Sequence, residues 1–332
     1  TQTMGIKTDG TLWTWGDNYY SQLGDNTQNN RSIPTLAAYG GTNWKQVACG
    51  RQHTAAIKTD GTLWAWGGNA YGSLGQIGDN TTAQRALPVT TFAGGTNWKQ
   101  VSGGYDHTAA IKTDGTLWIW GQNLYGQIGD NTRITRLTPV TTFVGGTNWK
   151  QVSCGSYFTA AIKTDGTLWT WGYNSAGQLG INLSGLANGR TTPVQTFAGG
   201  TNWKQVACGG DHTAAIKTDG TLWVWGWNAY GQLGDNTTTQ RNTPVTTYAG
   251  GTNWKQVAGG GDYHTAAIKT NGTLWVWGGG FVNYGQIGDN TVTNRSTPVT
   301  TFAGGTNWKQ VACGTIHTVA VTSGTDPTYF IS

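Results

Sequence analysis

The residues of this chain that could do chemistry are five histidines, four cysteines and a set of Asp–Arg pairs, and each type recurs at a fixed place. His53, His107, His212, His264 and His317 occupy one repeated position, filled in another copy by Phe158. Imidazoles could act as general bases or metal ligands, but an active site needs different groups converging on one point. These are dispersed one per repeat, so they read as structural histidines bonded to neighbouring backbone. Cys49, Cys154, Cys208 and Cys313 share a second position, where Gly103 and Gly259 stand elsewhere. Alternation with glycine implies a small buried slot. Cys154–Cys208 and Cys313–Cys49 would fall in neighbouring units, yet a disulfide needs Cα atoms within about 7 Å. Free buried thiols are the simpler expectation, and the redox compartment stays open.

The third group lies in a repeated "GDNTTxxR" stretch: Asp25/Arg31, Asp79/Arg85, Asp130/Arg136, Asp235/Arg241 and Asp289/Arg295. The separation of six suits a loop-bracing salt bridge with a bidentate arginine. A calcium or anion site is the alternative, because Asp-Asn-Thr offers oxygen ligands. One copy keeps Arg190 but reads "INLSGLANG" where the acid would be. None of these sets forms an asymmetric polar cluster, so no catalytic residue, metal site or cofactor is expected and the chain is read as a non-enzyme.

The elements that would position these residues follow from composition and repetition. The chain has 332 residues with 53 Gly and 19 Trp, no Glu and one Met. Trp, Tyr, Thr and Val suit strands, while Gly and Asn suit turns. No apolar run of about 18 residues is present, so no membrane insertion is expected. The first residues lack a basic-then-apolar signal, although a removed signal segment would leave no trace. A net charge of +5 and a pI near 9.0 permit a weakly anionic partner without requiring one.

"NWKQV" returns at Trp44, Trp98, Trp149, Trp203, Trp254 and Trp308, spaced 54, 51, 54, 51 and 54 residues apart. Four β segments recur in each unit: A (NWKQVACG), B (HTAAIKT), C (TLWVWG) and D (TPVTTF). Asp-Gly or Asn-Gly joins B to C, which predicts a tight two-residue hairpin. Six of the seven prolines open segment D, as suits an edge strand. Four-stranded antiparallel sheets at this period indicate a β-propeller. A, C and D occur six times and B seven times. The expected fold is therefore all-β: a single β-propeller domain over 1–332, with six blades favoured and seven as the alternative. Five units are complete. The sixth blade would be shared between 1–40 and 306–325, closed by pairing of N- and C-terminal strands. Eighteen of the nineteen tryptophans sit at three repeated positions. Inter-blade core is the expectation, with a set of sugar-stacking platforms as the alternative.

The string "VACGGDHTAAIKTDGTLWVWGWNAYGQLGDN" (206–236) resembles the regulator of chromosome condensation repeat family, through its Cys-Gly-x-x-His, Gly-x-x-x-x-Trp-Gly and Gly-Gln-Leu-Gly elements. The resemblance covers almost the whole chain and implies a propeller, commonly of seven blades. Members include a chromatin-bound guanine nucleotide exchange factor and a plant ultraviolet-B photoreceptor. The photoreceptor's light-sensing Trp lies in a Gly-Trp-Arg-His-Thr motif. Here that site reads "GRQHT", "GYDHT", "GSYFT", "GGDHT", "GDYHT" and "GTIHT". The exchange factor's inserted wedge and acidic surface also have no counterpart, so neither activity is expected.

Site-specific function should reside where the copies differ. One such set is the A–B turn: Arg51, Gln52, Tyr105, Asp106, Tyr157, Asp211, Asp262, Tyr263 and Ile316. A second follows Trp-Gly: Asp17, Tyr19, Tyr173, Trp227 and Phe281. Tyr and Trp among small polar residues match adaptable recognition loops. The twelve lysines, six after the A-strand Trp and six after the B-strand Ile, read as solvated strand faces. Nucleic acid is not expected as a partner, because it calls for a concentrated basic patch. The expectation is a recognition or structural module on a virion or bacterial surface, extracellular, binding a surface glycan or a partner protein. The alternative is an intracellular regulator binding a small GTPase or chromatin.

Overall fold

In the computed structural model, residues 2–38, 40–69, 74–261 and 263–323 are described, together with the backbone of Phe330–Ile331. The N-terminal sheet comprises β1 (Gln2–Ile6), β2 (Leu12–Gly16) and β3 (Arg31–Leu36). The first complete blade is β4 (Trp44–Cys49), β5 (His53–Lys58), β6 (Leu63–Gly67) and β7 (Arg85–Thr90). The second is β8 (Trp98–Gly103), β9 (His107–Lys112), β10 (Leu117–Gly121) and β11 (Arg136–Thr141). The third is β12 (Trp149–Cys154), β13 (Phe158–Lys163), β14 (Leu168–Gly172) and β15 (Arg190–Gln195). Then come β16 (Trp203–Cys208), β17 (His212–Lys217), β18 (Leu222–Gly226) and β19 (Arg241–Thr246). The fifth holds β20 (Trp254–Gly260), β21 (His264–Lys269), β22 (Leu274–Gly278) and β23 (Arg295–Thr300). A last sheet is β24 (Trp308–Cys313), β25 (Thr318–Thr322) and β26 (Phe330–Ile331).

Counted as full sets of A, B, C and D strands, this is a six-bladed β-propeller of antiparallel blades. Five sets are four-stranded sheets, and the sixth set is distributed over two three-stranded terminal sheets. The terminal strands pair inside their own sheets: β2 takes β1, in the register that B and C keep in every blade, and β25 takes β26. Two compact units are present, Thr1–Thr159 with Arg190–Pro193, and Ala160–Gly189 with Val194–Ser332.

The B–C connection is not the two-residue hairpin expected from Asp-Gly. Gly61 N–H donates to Lys58 O and Lys58 N–H to Thr62 O, and of the turn residues only Gly61 has positive φ, +79°. This is a type I turn closed by a glycine bulge. Asp60 therefore keeps an ordinary backbone, and its carboxylate accepts from the Thr62 N–H at 2.9 Å and the Thr62 hydroxyl at 2.7 Å.

The core lies between neighbouring blades. Ala55, Ile57, Leu63 and Ile77 of one blade pack on Trp98, Val101 and Trp120 of the next; Ile216, Leu222 and Leu233 pack likewise on Trp254, Val257 and Trp277. The A-strand Trp and the second C-strand Trp of each complete blade are buried, as expected. The first C-strand Trp is only half-buried. Its face is covered by the B-strand lysine: Lys58 Nζ lies 4.5 Å from the Trp64 ring and 4.9 Å from Trp44, and Lys269 stands likewise over Trp275 and Trp254. That lysine set is thus held by cation–π contacts rather than simply solvated. The A-strand lysines are exposed, because each is the bulged residue between Trp and Gln, as in the shift at Trp203/Gln205.

Candidate functional site

Three of the repeated histidines are parts of an inter-blade latch, whereas His264 is buried with neither ring nitrogen hydrogen-bonded. His53 Nε2 lies 2.8 Å from the Thr108 hydroxyl of the next blade, His107 3.1 Å from Thr159, and His212 2.8 Å from Thr265. Each threonine already donates its proton to a glutamine carbonyl, Thr108 to Gln76 O at 2.8 Å and Thr265 to Gln232 O at 2.9 Å. The hydroxyl can therefore only accept from the imidazole, so Nε2 carries the hydrogen. Trp120 Nε1 donates to the same Gln76 carbonyl at 2.9 Å. The family's Gly-Gln-Leu-Gly, His-Thr and Trp-Gly elements are thus one hydrogen-bonded device. Burial pushes His53 and His212 down to about 4 and His107 to about 3, so these rings are neutral. Their Nδ1 atoms are buried without a partner. Nothing reaches them from solvent to be catalysed.

The Asp–Arg loops are likewise saturated. Asp25 Oδ1 accepts from the Thr27 N–H at 3.0 Å, the Thr27 hydroxyl at 2.7 Å and Asn18 Nδ2 at 3.0 Å. Arg31 places both Nε and Nη2 on Oδ2, at 2.7 and 2.6 Å. The arginine therefore grips one carboxylate oxygen rather than both. Burial raises the Asp25 pKa, but Thr27, Arg31 and Asn18 outweigh it and hold the carboxyl below its ordinary value. No oxygen is left to ligate an ion. Among the described residues, no cluster of three or more His, Cys or Asp could hold a metal.

The variable positions behave differently. Each A–B turn is tied by backbone to the segment after Trp-Gly: Gln52 O accepts from the Gly68 N–H at 2.7 Å, Asp106 O from Gln122 at 2.8 Å and Asp211 O from Trp227 at 2.9 Å. Successive turns are also tied together, Arg51 N–H to Gly104 O and Tyr105 N–H to Ser156 O. The two variable sets therefore meet at one end of the blades, with side chains free to differ.

In the first unit the exposed Arg51 guanidinium lies 5.2 Å over the Tyr105 ring. Tyr105 meets Tyr157 edge-on at 5.5 Å, and Tyr125 lies 5.2 Å from Tyr157. Beneath them Asp106 is 7 % exposed; burial raises its pKa, and the Arg51 charge opposes that. In the second unit Trp227, Tyr230 and Tyr263 form a triangle with centroid distances of 5.4, 6.0 and 5.5 Å. Asp211 accepts from Gln178 Nε2 at 2.9 Å. Tyr173 is half-buried at the equivalent loop position, and Phe281 is 87 % exposed. Asp262 lies outside the described residues. Tyr125 and Tyr230 do not stand out in the sequence, because they belong to a repeated Asn-x-Tyr-Gly-Gln position. The third complete blade carries Ala176 in its place.

With this geometry in place, comparisons with known proteins bear on the chain as a whole. The sequence model of the RCC1-like domain matches residues 46–329, and that of the regulator of chromosome condensation (RCC1) repeat matches residues 9–57. The ultraviolet-B receptor UVR8 of Arabidopsis thaliana is 33 % identical over 315 residues, spanning 93 % of this chain and 70 % of that protein. The mitochondrial RCC1 domain-containing protein RUG3 of the same plant is 29 % identical over 82 % of this chain and 62 % of its own length. A human E3 ubiquitin-protein ligase, HERC2, is 30 % identical over 72 % of this chain, but only 5 % of that protein is matched. Among solved structures, Saccharomyces cerevisiae Prp20p, described with its binding to Gsp1p and histones, superposes with a TM-score of 0.83 at 22 % identity, covering 98 % of this chain and 81 % of that one. These relatives overturn the expected extracellular or virion location: one is mitochondrial by name and another binds histones, so they are intracellular proteins. They also give no support to a surface glycan as ligand.

Proposed function

We propose that this chain, which belongs to the regulator of chromosome condensation (RCC1) repeat family, is a non-enzymatic recognition module that binds an intracellular protein partner of the small-GTPase or chromatin kind. The binding end is the one that carries the A–B turns. The observation that carries this reading is the Arg51–Tyr105–Tyr157–Tyr125 cluster, an exposed cation laid on aromatic rings packed edge-on and tilted, at mostly non-repeated positions. Arg and Tyr dominate the energetics of protein interfaces, since each combines large buried area with a polar handle at low entropic cost. The repeated Asp, Arg and Thr side chains instead spend their hydrogen bonds on the scaffold.

The test uses Gsp1p and core histones as probes against the full chain, by calorimetry. Saturable binding to one of them, weakened at least tenfold by Arg51→Ala with Tyr105→Ala and with unchanged melting temperature, is the expected result. Binding to neither, or binding indifferent to the double variant, overturns it. Nucleotide release from Gsp1p is expected to stay at its intrinsic rate; acceleration would refute the non-enzymatic part.

A further inference from the structure

The aromatic clusters of the two units are built on one plan. Tyr125 and Tyr230 hold the same place in Asn-x-Tyr-Gly-Gln, and Tyr157 and Tyr263 each stand directly before the histidine position. The ring centroids lie 5.2 Å apart in the first pair and 5.5 Å in the second. Asp106 and Asp211 likewise each precede a histidine. The backbone carbonyl of each accepts from the residue after Trp-Gly, Gln122 at 2.8 Å and Trp227 at 2.9 Å.

The plans differ in one ring and one charge. The third ring of the first cluster is Tyr105, from the turn position that holds Gly210 in the second unit. The third ring of the second cluster is Trp227, at the position that holds Gln122 in the first. On Tyr105 the Arg51 guanidinium lies at 5.2 Å, near enough for its charge to act on the Asp106 carboxyl. The first cluster thus carries a cation of its own, set on a ring face beside an acid. The variable positions of the second unit, Tyr173, Asp211, Trp227, Tyr263, Phe281 and Ile316, include an acid and no Lys or Arg. Lys163, Lys217 and Lys269 of that unit stand instead over the first C-strand Trp of their own blades.

We propose that the Trp227–Tyr230–Tyr263 cluster, with Asp211 beside it, is a receptor for one cationic side chain of a protein partner, an arginine before a lysine. Arg51 on Tyr105 is the precedent within the same chain. A ring face attracts a cation through its quadrupole, and indole does so most strongly. A guanidinium also stacks flat on such a face and offers its fork of donors to a carboxylate. Trp227, Tyr230, Tyr263 and Asp211 are all half-buried, so each keeps surface that a partner can reach. A partner's carboxylate would meet the Asp211 charge there and is disfavoured. The receptor rests on the reading that this end of the blades meets a protein partner, and it narrows that partner to one with an exposed basic segment, as the chromatin kind has.

The probes are two capped peptides, Ala-Gly-Ser-Arg-Ser-Gly-Ala and the same peptide with citrulline for arginine, which keeps the shape and removes the charge. Each is titrated against the full chain at low salt, with peptide-observed nuclear magnetic resonance as readout. The arginine peptide is expected to bind about fivefold tighter or more. Trp227→Gln borrows the residue of the first unit, and Asp211→Asn keeps an oxygen for Gln178 Nε2. Each should erase most of that preference at an unchanged melting temperature. Equal binding of the two peptides, or a preference that survives both variants, overturns the proposal. Core histones and Gsp1p, titrated in parallel, separate the receptor from the reading beneath it. Partner binding that Trp227→Gln leaves unchanged removes the receptor and keeps the reading. An arginine preference in a chain that binds neither protein keeps the receptor and removes the reading.

Discussion

The imidazole of His53 donates from Nε2 to the hydroxyl of Thr108 across a blade boundary, at 2.8 Å, while that hydroxyl donates onward to the Gln76 carbonyl. The direction of this relay fixes the tautomer and leaves a buried, unpartnered Nδ1. Protonating such a ring would put an uncompensated charge into the core.

Stability should therefore fall as pH drops from about 6.5 to about 4. The folded-state values of His53, His107, His212 and His264 lie well below the ordinary 6.5 because of burial. Between the two values the unfolded chain binds protons that the folded chain does not, so stability rises with pH. Each histidine contributes a slope of about 1.4 kcal/mol per pH unit there. Urea midpoints at pH 7.5, 6 and 5 check this, and a flat profile would contradict neutral buried rings. The carboxyls of Asp25, Asp130, Asp235 and Asp289 are held below 3.8, so the stability they contribute is lost only at still lower pH.

His107→Phe should be nearly neutral at pH 7.5, within about 1 kcal/mol, and should flatten the acid slope. Phe158 already occupies this position, lying against Gly155 as His107 lies against Gly104. Thr108→Val is the harsher change. It strips Gln76 O of a donor and leaves the His53 N–H buried and unpaired, at a cost of about 1–3 kcal/mol. Equal effects of the two substitutions in denaturant titrations would be inconsistent with the relay.

Asp130→Ala should cost about 1–3 kcal/mol, since Thr132, Asn123 and Arg136 all lose an acceptor. The loop itself should persist. In the third complete blade Ile181 replaces the acid, yet Asn182 keeps φ at +61° and its N–H still bonds Asn242 O at 2.9 Å. Unchanged near-ultraviolet circular dichroism with a lowered melting temperature is the expected pair of readouts.

How far the sequence reveals this molecule depends on whether a residue's role is local or relational. Period, strand identity and the outer position of the proline-bearing strand are legible because they are properties of one segment. The B–C turn is not legible, because Asp-Gly serves both a two-residue hairpin and a type I turn with a glycine bulge, and only the backbone chooses. Arg51, Tyr105 and Tyr157 stand out in the sequence by their departure from the repeat. Tyr125 and Tyr230 do not stand out, because they follow the repeat, although Tyr125 packs on Tyr157 and Tyr230 on Trp227 and Tyr263. The seven B copies against six A copies were countable from the start. Where the surplus copy goes is visible only in the pairing: β1 takes β2 in the register that B and C keep in the complete blades, and β25 takes β26.

Glycine positions make the sharpest remaining test of how the blades interlock. Gly24 has φ of +68°, and a Cβ there would stand 2.5 Å from Trp66 Nε1, an indole fixed by its bond to Gln22 O at 3.0 Å. The indole cannot move without breaking the latch, so strain and overpacking add. Gly24→Ala should cost about 3 kcal/mol or more. Gly94, also left-handed at +51°, has open space around its missing Cβ. Gly94→Ala should cost only the backbone penalty, about 1 kcal/mol. Comparable losses from the two in urea denaturation would mean that backbone conformation alone, and not the Trp66 contact, accounts for the glycine of the Gly-Gln-Leu-Gly element.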